Sequence, residues 1–418
     1  MSADRKAIIF LGDGMGDRPV PSLGGRTVIE ATDTPALDAV AAGGDCGMLY
    51  PAGPGRPVGS DTAHMAILGY DPFELYRGRG PFEAKGVGID VRPGDLAFRC
   101  NFSTVEGSVV TDRRAGRIKT GTDQLAKAVN DGLSDGIDGV QVIFQESVEH
   151  RAALVLRGEG LDHRIGEVDP HKEGVEYWEC VPLPEAAADA TAVRTARIVN
   201  EFVRRAYEIL QAHPVNAQRK QEGLPPANAA LPRGVGTAVE LPSLRDQYHL
   251  HGAMIVEVDL VRGLGMYLDM DVIEVAGATG GADTNEYAIA RAVEAAWADH
   301  DFILANIKAP DLGGHDSDPV AKMASVAKVD RAVGYLLDHL DWSRTTMMIG
   351  ADHCTPVVVG DHTGDAIPVA FYGYGTRPDD VTTYGERACS RGSLGHLVGA
   401  DVMSLLTNYT GTQHKFGA

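Results

Sequence analysis

Cysteine is scarce in this chain: five residues in 418, with no C-x-x-C spacing among them. So dispersed a set fits reduced thiols in the cytoplasm better than a disulfide framework. Long apolar runs are also missing. No stretch near 18 residues is apolar throughout, and no charged segment with an apolar core precedes the first strand pattern. Neither a membrane span nor a signal peptide is therefore expected. Positive charge is in short supply, with 38 Lys and Arg against 58 Asp and Glu and a formal net charge of -20. Nucleic acids and anionic membranes repel such a surface, which removes both as non-specific partners. Internal repeats and low-complexity tracts are lacking. The expectation is a soluble cytoplasmic protein, long enough for one large α/β domain and a smaller one.

What is present is an alternation of apolar strand patterns and helical patterns. Residues 7–11 are a short apolar run of the kind that forms a buried parallel strand, ending in Gly12-Asp13-Gly14-Met15-Gly16-Asp17. That spacing is not G-x-G-x-x-G, so a dinucleotide fold has little support. A helix is expected over 34–43, with Pro35 in its first turn. The Gly- and Pro-rich loop 51–59 then leads into Ser60 and a helical stretch, 62–68. A serine there is commonly an N-cap, but a helix N-terminus also suits a bound phosphate.

Between about 90 and 245 the character changes. Strand patterns at 95–105, 140–144 and 152–156 and an amphipathic helix near 186–213 accompany clustered Arg, His and Lys. We read 91–245 as a smaller α+β domain inserted into a core made of 1–90 and 246–418. Strands and helices alternate again from 254 to 371, which indicates a largely parallel sheet with helices on both faces. The polar tail beyond Asn408 is expected to be loosely ordered.

Three motifs lie just beyond apolar strands: Asp311-x-x-x-His315, Asp352-His353 and Asp361-His362-Thr363. Singly, each reads as a helix cap or a surface histidine. Jointly, carboxylates and imidazoles at the carboxyl ends of neighbouring parallel strands converge on one crevice. Mixed Asp, His and Ser donors suit Mn²⁺ or Zn²⁺, and Mg²⁺ less well. Two such ions would stabilise both the attacking and the leaving oxygen of a phosphoryl displacement and would activate a serine. On this reading Ser60 is a nucleophile held against two cations.

These motifs resemble the archaeal-type, cofactor-independent (2,3-bisphosphoglycerate-independent) phosphoglycerate mutases of the alkaline phosphatase superfamily. The resemblance is carried by Gly12 to Asp17, Gly59-Ser60-Asp61-Thr62-Ala63-His64, Arg77-Gly78-Arg79-Gly80-Pro81-Phe82-Glu83-Ala84, Cys100-Asn101-Phe102 and Asp112-Arg113-Arg114-Ala115-Gly116-Arg117. It continues in Asp169-Pro170-His171-Lys172, Gly277-Ala278-Thr279-Gly280, Asp311 with His315, Asp352-His353 and His362. Val58 before the Gly-Ser pair and Gly313-Gly314 before His315 depart from the family pattern without removing a donor.

The resemblance implies an alkaline-phosphatase-like core and two divalent ions, with no 2,3-bisphosphoglycerate needed. One ion would be held by Asp311, His315 and His362, the other by Asp13, Ser60, Asp352 and His353. It also implies an isomerase that interconverts 3- and 2-phosphoglycerate through a phosphoserine at Ser60. Arg113, Arg114, Arg117, His150, Arg151 and Lys172 are candidates to hold the small anionic substrate, and Asp169 or His171 to move the proton. Bidentate arginines suit carboxylate and phosphate, and water would have to be excluded from the phosphoserine. The same mechanism on another phosphorylated hydroxy acid, sugar or cyclitol, a metal-dependent phosphatase or phosphonate hydrolase, and a non-catalytic binding protein stay open at this point, as does a homo-oligomer.

Overall fold

Ile8, Ile9, Phe10 and Leu11 are all inaccessible to solvent, so the first strand is covered on both faces. That is the signature of a strand inside a parallel sheet rather than at a solvated edge. The computed structural model describes residues 5–413 together with 415 and 417. The chain divides into two compact units. One runs up to Tyr76 and resumes at Leu241, and the other is the continuous segment Arg77–Glu240.

The first unit opens with strands β1 (Lys6–Gly12) and β2 (Gly44–Tyr50). The second holds β3 (Leu96–Glu106), β4 (Val109–Asp112), β5 (Gln141–Glu146), β6 (Arg151–Arg157), β7 (Val175–Glu176) and β8 (Ala229–Thr237). The first unit then adds β9 (Gly252–Ile255), β10 (Asp271–Val272), β11 (Phe302–Ile307), β12 (Thr345–Gly350), β13 (Ile367–Gly373) and β14 (Gly395–Val398).

In the first unit eight strands form one sheet in the order β10-β9-β11-β1-β12-β13-β2-β14. Every pair is parallel except the two made by β13, which runs antiparallel to β12 and to β2. The register Ala7↔Phe302 and Ala7↔Thr346 lines up the carboxyl ends of β1, β11 and β12. Helices cover both faces, as a largely parallel sheet requires. The short strand Asp271–Val272 closes the sheet at one edge.

The second unit is an antiparallel sheet, β5-β6-β3-β4-β7 with β8 also on β3. The helix Ala190–Ala212 packs here. Asp189 caps it by accepting from the Thr191 N–H, and its predicted apolar stripe (Val199, Phe202, Val203, Ala206, Leu210) is buried. Each large side chain fully withdrawn from water there contributes about 1.5–3 kcal/mol. The helix Gly80–Gly86 belongs to this unit, because Ala84 shares a cluster with Ala97 and Val155.

The tail departs from expectation. The last helix runs Gly399–Thr410, and Tyr409 is buried with its hydroxyl donating to Asp45 Oδ2 at 2.5 Å. An aromatic ring supplied that anchor where residue polarity suggested a loose end. Residues 414, 416 and 418 of the same tail lie outside the described set.

Candidate metal centre and anion-binding cluster

Asp13 follows β1, Asp311 follows β11 in the helix Ala309–His315, and Asp352 and His353 follow β12. Because these three strands are adjacent and parallel, their ends deliver three carboxylates to one place. All three are buried, Asp13 and Asp352 completely. Glycine makes the approach possible. Gly14 has φ of +58°, and a Cβ there would fall 2.6 Å from Asp311 Oδ1 and 2.5 Å from Thr355 Oγ1.

Ser60 is the first residue of the helix Ser60–Ile67, and Gly59, not Ser60, is its N-cap. The serine hydroxyl is therefore spent on no cap. It lies 3.3 Å from His353 Nε2 and is buried. Asp352 Oδ1 accepts from the Gly14 and His353 N–H groups at 2.9 and 3.0 Å. Its other oxygen, Oδ2, is buried and no hydrogen bond reaches it among the described residues.

His315 and His362 complete the arrangement. Each places Nδ1 against a backbone carbonyl: His315 on Gly360 at 3.1 Å and His362 on Val58 at 2.7 Å. Donation from Nδ1 leaves each Nε2 with a lone pair, and the two Nε2 atoms face each other at 3.2 Å. They also lie 3.4 and 3.5 Å from the Asp311 oxygens. Two lone pairs and a carboxylate converging in this way suit a shared cation, as does the backbone contact on the far nitrogen of each ring.

Ligand atoms of Asp311, His315 and His362 all lie within 4.8 Å of one another, as do those of Asp13, Asp311 and His353. These clusters fit a di-metal active site. The electrostatics point the same way. Burial, with Asp352 next to it, pushes Asp13 up to about 8, and only Lys308 opposes this strongly. Burial holds His353 down at about 3, so its imidazole is neutral and able to donate a lone pair. Burial opposes ionisation of Asp311, yet Lys308 and the two histidines hold it well below the usual carboxylate range.

Three residues of this centre escaped the sequence reading. Lys308 Nζ stands 2.7 Å from both Asp13 Oδ1 and Asp311 Oδ2, a buried ammonium between two carboxylates. Asn306 donates to Asp13 Oδ2 at 3.1 Å and touches His64 Nε2. His64 itself is fully buried, with Nδ1 on the Ser60 carbonyl at 2.6 Å. The available signal was position: Lys308 is the first residue after β11 and three before Asp311.

In the second unit the basic residues gather around two buried carboxylates. Asp169 receives Arg113 through Nε at 2.9 Å and Nη2 at 2.6 Å, a two-pronged pairing, and the His171 N–H at 3.0 Å. Burial alone would raise its pKa, but Arg113 brings it below the ordinary value. His171 Nε2 meets Glu167 at 2.6 Å and its Nδ1 meets Arg233 Nη1 at 3.3 Å. Glu83 pairs with Arg79 and Arg99 at 3.0 and 3.4 Å. His150 is buried among Arg151, Arg114, Arg99 and Arg117, and burial first, then those guanidinium groups, hold it down at about 3. Lys172, by contrast, is exposed. Arg79, Arg99 and Arg233 were not among the expected anion holders. Arg99 and Arg233 are register partners across β3 and β8, which sequence spacing alone does not show. Arg79 and Arg99 thus share Glu83, and Arg113 and Arg233 share Asp169, an arrangement of guanidinium groups whose chemistry suits carboxylate or phosphate.

The comparisons with known proteins agree with this chemistry. A family model for 2,3-bisphosphoglycerate-independent phosphoglycerate mutase matches residues 41–216. A protein of that description from Methanothermobacter thermautotrophicus is 45% identical over 99% of this chain and 100% of its own length. One from Methanopyrus kandleri is 45% identical over 99% of both. Among solved structures, a Pyrococcus horikoshii protein aligns with a TM-score of 0.85 at 35% identity, covering 99% of this chain and 100% of the other. The cofactor-independent phosphoglycerate mutase of Thermoplasma acidophilum gives 0.69 at 34%, over 97% and 100%. Similarity of this extent, spanning both units, makes the chain an enzyme of the 2,3-bisphosphoglycerate-independent phosphoglycerate mutase family, within the alkaline phosphatase superfamily.

Proposed function

We propose that this enzyme interconverts 3-phosphoglycerate and 2-phosphoglycerate through a phosphoserine at Ser60. The observation that carries the reading is Ser60 itself: a buried hydroxyl that caps no helix and lies 3.3 Å from His353 Nε2, among three buried aspartates. Asp311, His315 and His362 would hold one divalent cation, and Asp13, Ser60, Asp352 and His353 the other. Mn²⁺ or Zn²⁺ suits these donors best. Such ions supply charge to the phosphoryl oxygens and make a serine hydroxyl easier to ionise.

The residues do the rest. Ser60 Oγ forms a bond to phosphorus as the bond from phosphorus to the glycerate 3-oxygen breaks, and that oxygen takes a proton. The 2-hydroxyl then gives up a proton and bonds to phosphorus while the Ser60 ester breaks. The proton that Ser60 Oγ loses on attack is matched by the one the glycerate 3-oxygen takes. The proton lost by the 2-hydroxyl is matched by the one Oγ regains, so both halves balance. We assign proton transfer at the glycerate hydroxyls to Asp169, ionised beside Arg113 and so able to accept, with His171 beside it. Lys308, kept ionised by Asp13 and Asp311 despite its burial, adds a fixed positive charge between two of the proposed metal-holding carboxylates. Arg113, Arg114, Arg117, His150 and Arg151 would hold the carboxylate and phosphate, with Lys172 at the rim, and the second unit is assigned the substrate-binding role. Among the described residues no helix is long and apolar enough to cross a membrane, and we place the enzyme in the cytoplasm.

³¹P NMR of the Mn²⁺-loaded enzyme with 3-phosphoglycerate tests the reading. Appearance of the 2-phosphoglycerate resonance is expected. Inorganic phosphate alone would make the protein a hydrolase, and an unchanged spectrum would move the reaction to another phosphate ester.

A further inference from the structure

The amino end of the same parallel sheet carries a second group of metal-type donors. His251 immediately precedes β9, Asp271 opens β10, and His300 lies between the helix Glu286–Asp299 and β11. These strands are neighbours at the sheet edge. The Ser60 centre lies at the opposite, carboxyl end, roughly 20 Å away by the length of the six-residue β11. We propose that His251, Asp271 and His300 form a divalent-cation site of the zinc class, separate from the catalytic centre.

Three features support it. Ligand atoms of the three residues all lie within 4.8 Å of one another. His251 Nε2 and His300 Nε2 are 3.1 and 3.0 Å from the same oxygen, Asp271 Oδ2. Zinc bonds of about 2.0–2.2 Å in a tetrahedron put ligand atoms about 3.3–3.6 Å apart, so only a small outward shift makes room for the ion.

The far side of His300 is also arranged for this. Its Nδ1 meets the Ala296 carbonyl at 2.9 Å, and a donor there leaves Nε2 as a lone pair aimed at a carboxylate oxygen. Metal-bound histidines almost always carry such a contact on the other nitrogen. The two rings are stacked with centroids 4.6 Å apart, and both Nε2 atoms reach the same carboxylate oxygen. His251 is held in turn by its backbone: its N–H donates to Asp301 Oδ2 at 3.1 Å, and its carbonyl accepts the Asp301 N–H at 2.9 Å.

Two imidazoles and one carboxylate leave at least one position for water, and the Asp271 side chain is 62% exposed, so that water has access. The bound ion would tie the two-residue edge strand β10 to β9 and to the end of the preceding helix. Its role is then structural, bracing the sheet edge.

The experiment is equilibrium dialysis of the full-length enzyme against buffered micromolar Zn²⁺, with bound metal counted by atomic emission and turnover measured alongside. Asp271→Asn keeps the side-chain shape, and His251→Gln alters a half-exposed residue. Each is expected to bind about one equivalent less than the wild type while retaining turnover. Retained turnover shows that the variant is folded with its catalytic ions in place. Equal stoichiometry in all three proteins would overturn the site and leave an ordinary ion triad of two histidines and an aspartate. Extra zinc in the wild type that neither substitution removes would overturn it equally. Failure of mutase activity in the wild type would bear on the proposed reaction and not on this count.

Discussion

Lys322 has no solvent exposure, yet its ammonium is matched by three groups from distant parts of the first unit. It lies 2.9 Å from Asp17 Oδ2 and donates to the Gly16 and Thr355 carbonyls at 3.0 and 2.9 Å. It thus ties the loop after β1, which bears Asp13, to the loop after β12, which bears Asp352 and His353. Lys322→Met keeps the length of the stem and deletes the charge, leaving the buried Asp17 carboxylate without its counterion. Breaking one side of a buried pair costs about 3–5 kcal/mol, against a total stability of about 5–15 kcal/mol for a domain. With an m value of about 3 kcal/mol per M, the urea midpoint falls by roughly 1–1.7 M. Trp297 and Trp342 both lie in the first unit, so tryptophan fluorescence follows the relevant transition. Asp17→Asn combined with Lys322→Met removes both charges and should regain much of the loss. A midpoint unchanged by Lys322→Met, or a double variant no more stable than the single one, would refute the reasoning.

Ser60→Ala should abolish turnover while most of the bound metal is kept, since aspartates and histidines supply the other donors; substantial residual activity would rule out a phosphoserine. Chelation should stop turnover, with Mn²⁺ or Zn²⁺ restoring it. Without a cation Asp13 ionises only above about 8, so below that a proton can stand in for the metal; thermal stabilisation on adding metal should be larger at pH 8 than at pH 6, and an equal shift at both would contradict the assignment. His150 titrates at about 3 when folded and near 6.5 when unfolded. Below pH 6.5 the unfolded chain therefore binds a proton the fold refuses. Stability present above 6.5 is lost as pH falls toward 3, by up to about 1.4 kcal/mol per unit. His150→Asn should flatten that slope in urea titrations at pH 7, 6 and 5, and identical slopes would show that His150 is not the source.

The parts of this centre that sequence revealed are those built on short-range rules. An apolar run followed by a carboxylate marks the end of a buried strand, which pointed to Asp311 and Asp352 and brought His353 with them, whereas Asp13, alone an ordinary turn residue, gained its role from the family resemblance. Lys308 follows an equally clear strand, but a lysine is so common on surfaces that only the structure shows it buried between Asp13 and Asp311. Asn306 lies inside β11, where strand pattern hides function. In the second unit Arg99 and Arg233 meet through the β3–β8 pairing, and residue type cannot tell a guanidinium facing a partner strand from one facing water. The bland reading of Ser60 as a helix cap failed for a local reason: Gly59 took that place.

The pairing of β1 with β11 and β12 has a consequence for biosynthesis. Ala7 waits for Phe302 and Thr346 before its strand has either neighbour. At about 5–20 residues per second, a ribosome takes roughly 15–70 s to reach them. For that time a nascent chain carries Ile8 to Leu11 with no sheet to enter, while the continuous segment Arg77–Glu240 is already complete with its own core. Early folding should therefore belong to the segment Arg77–Glu240, and β1 should be the stretch most in need of a chaperone.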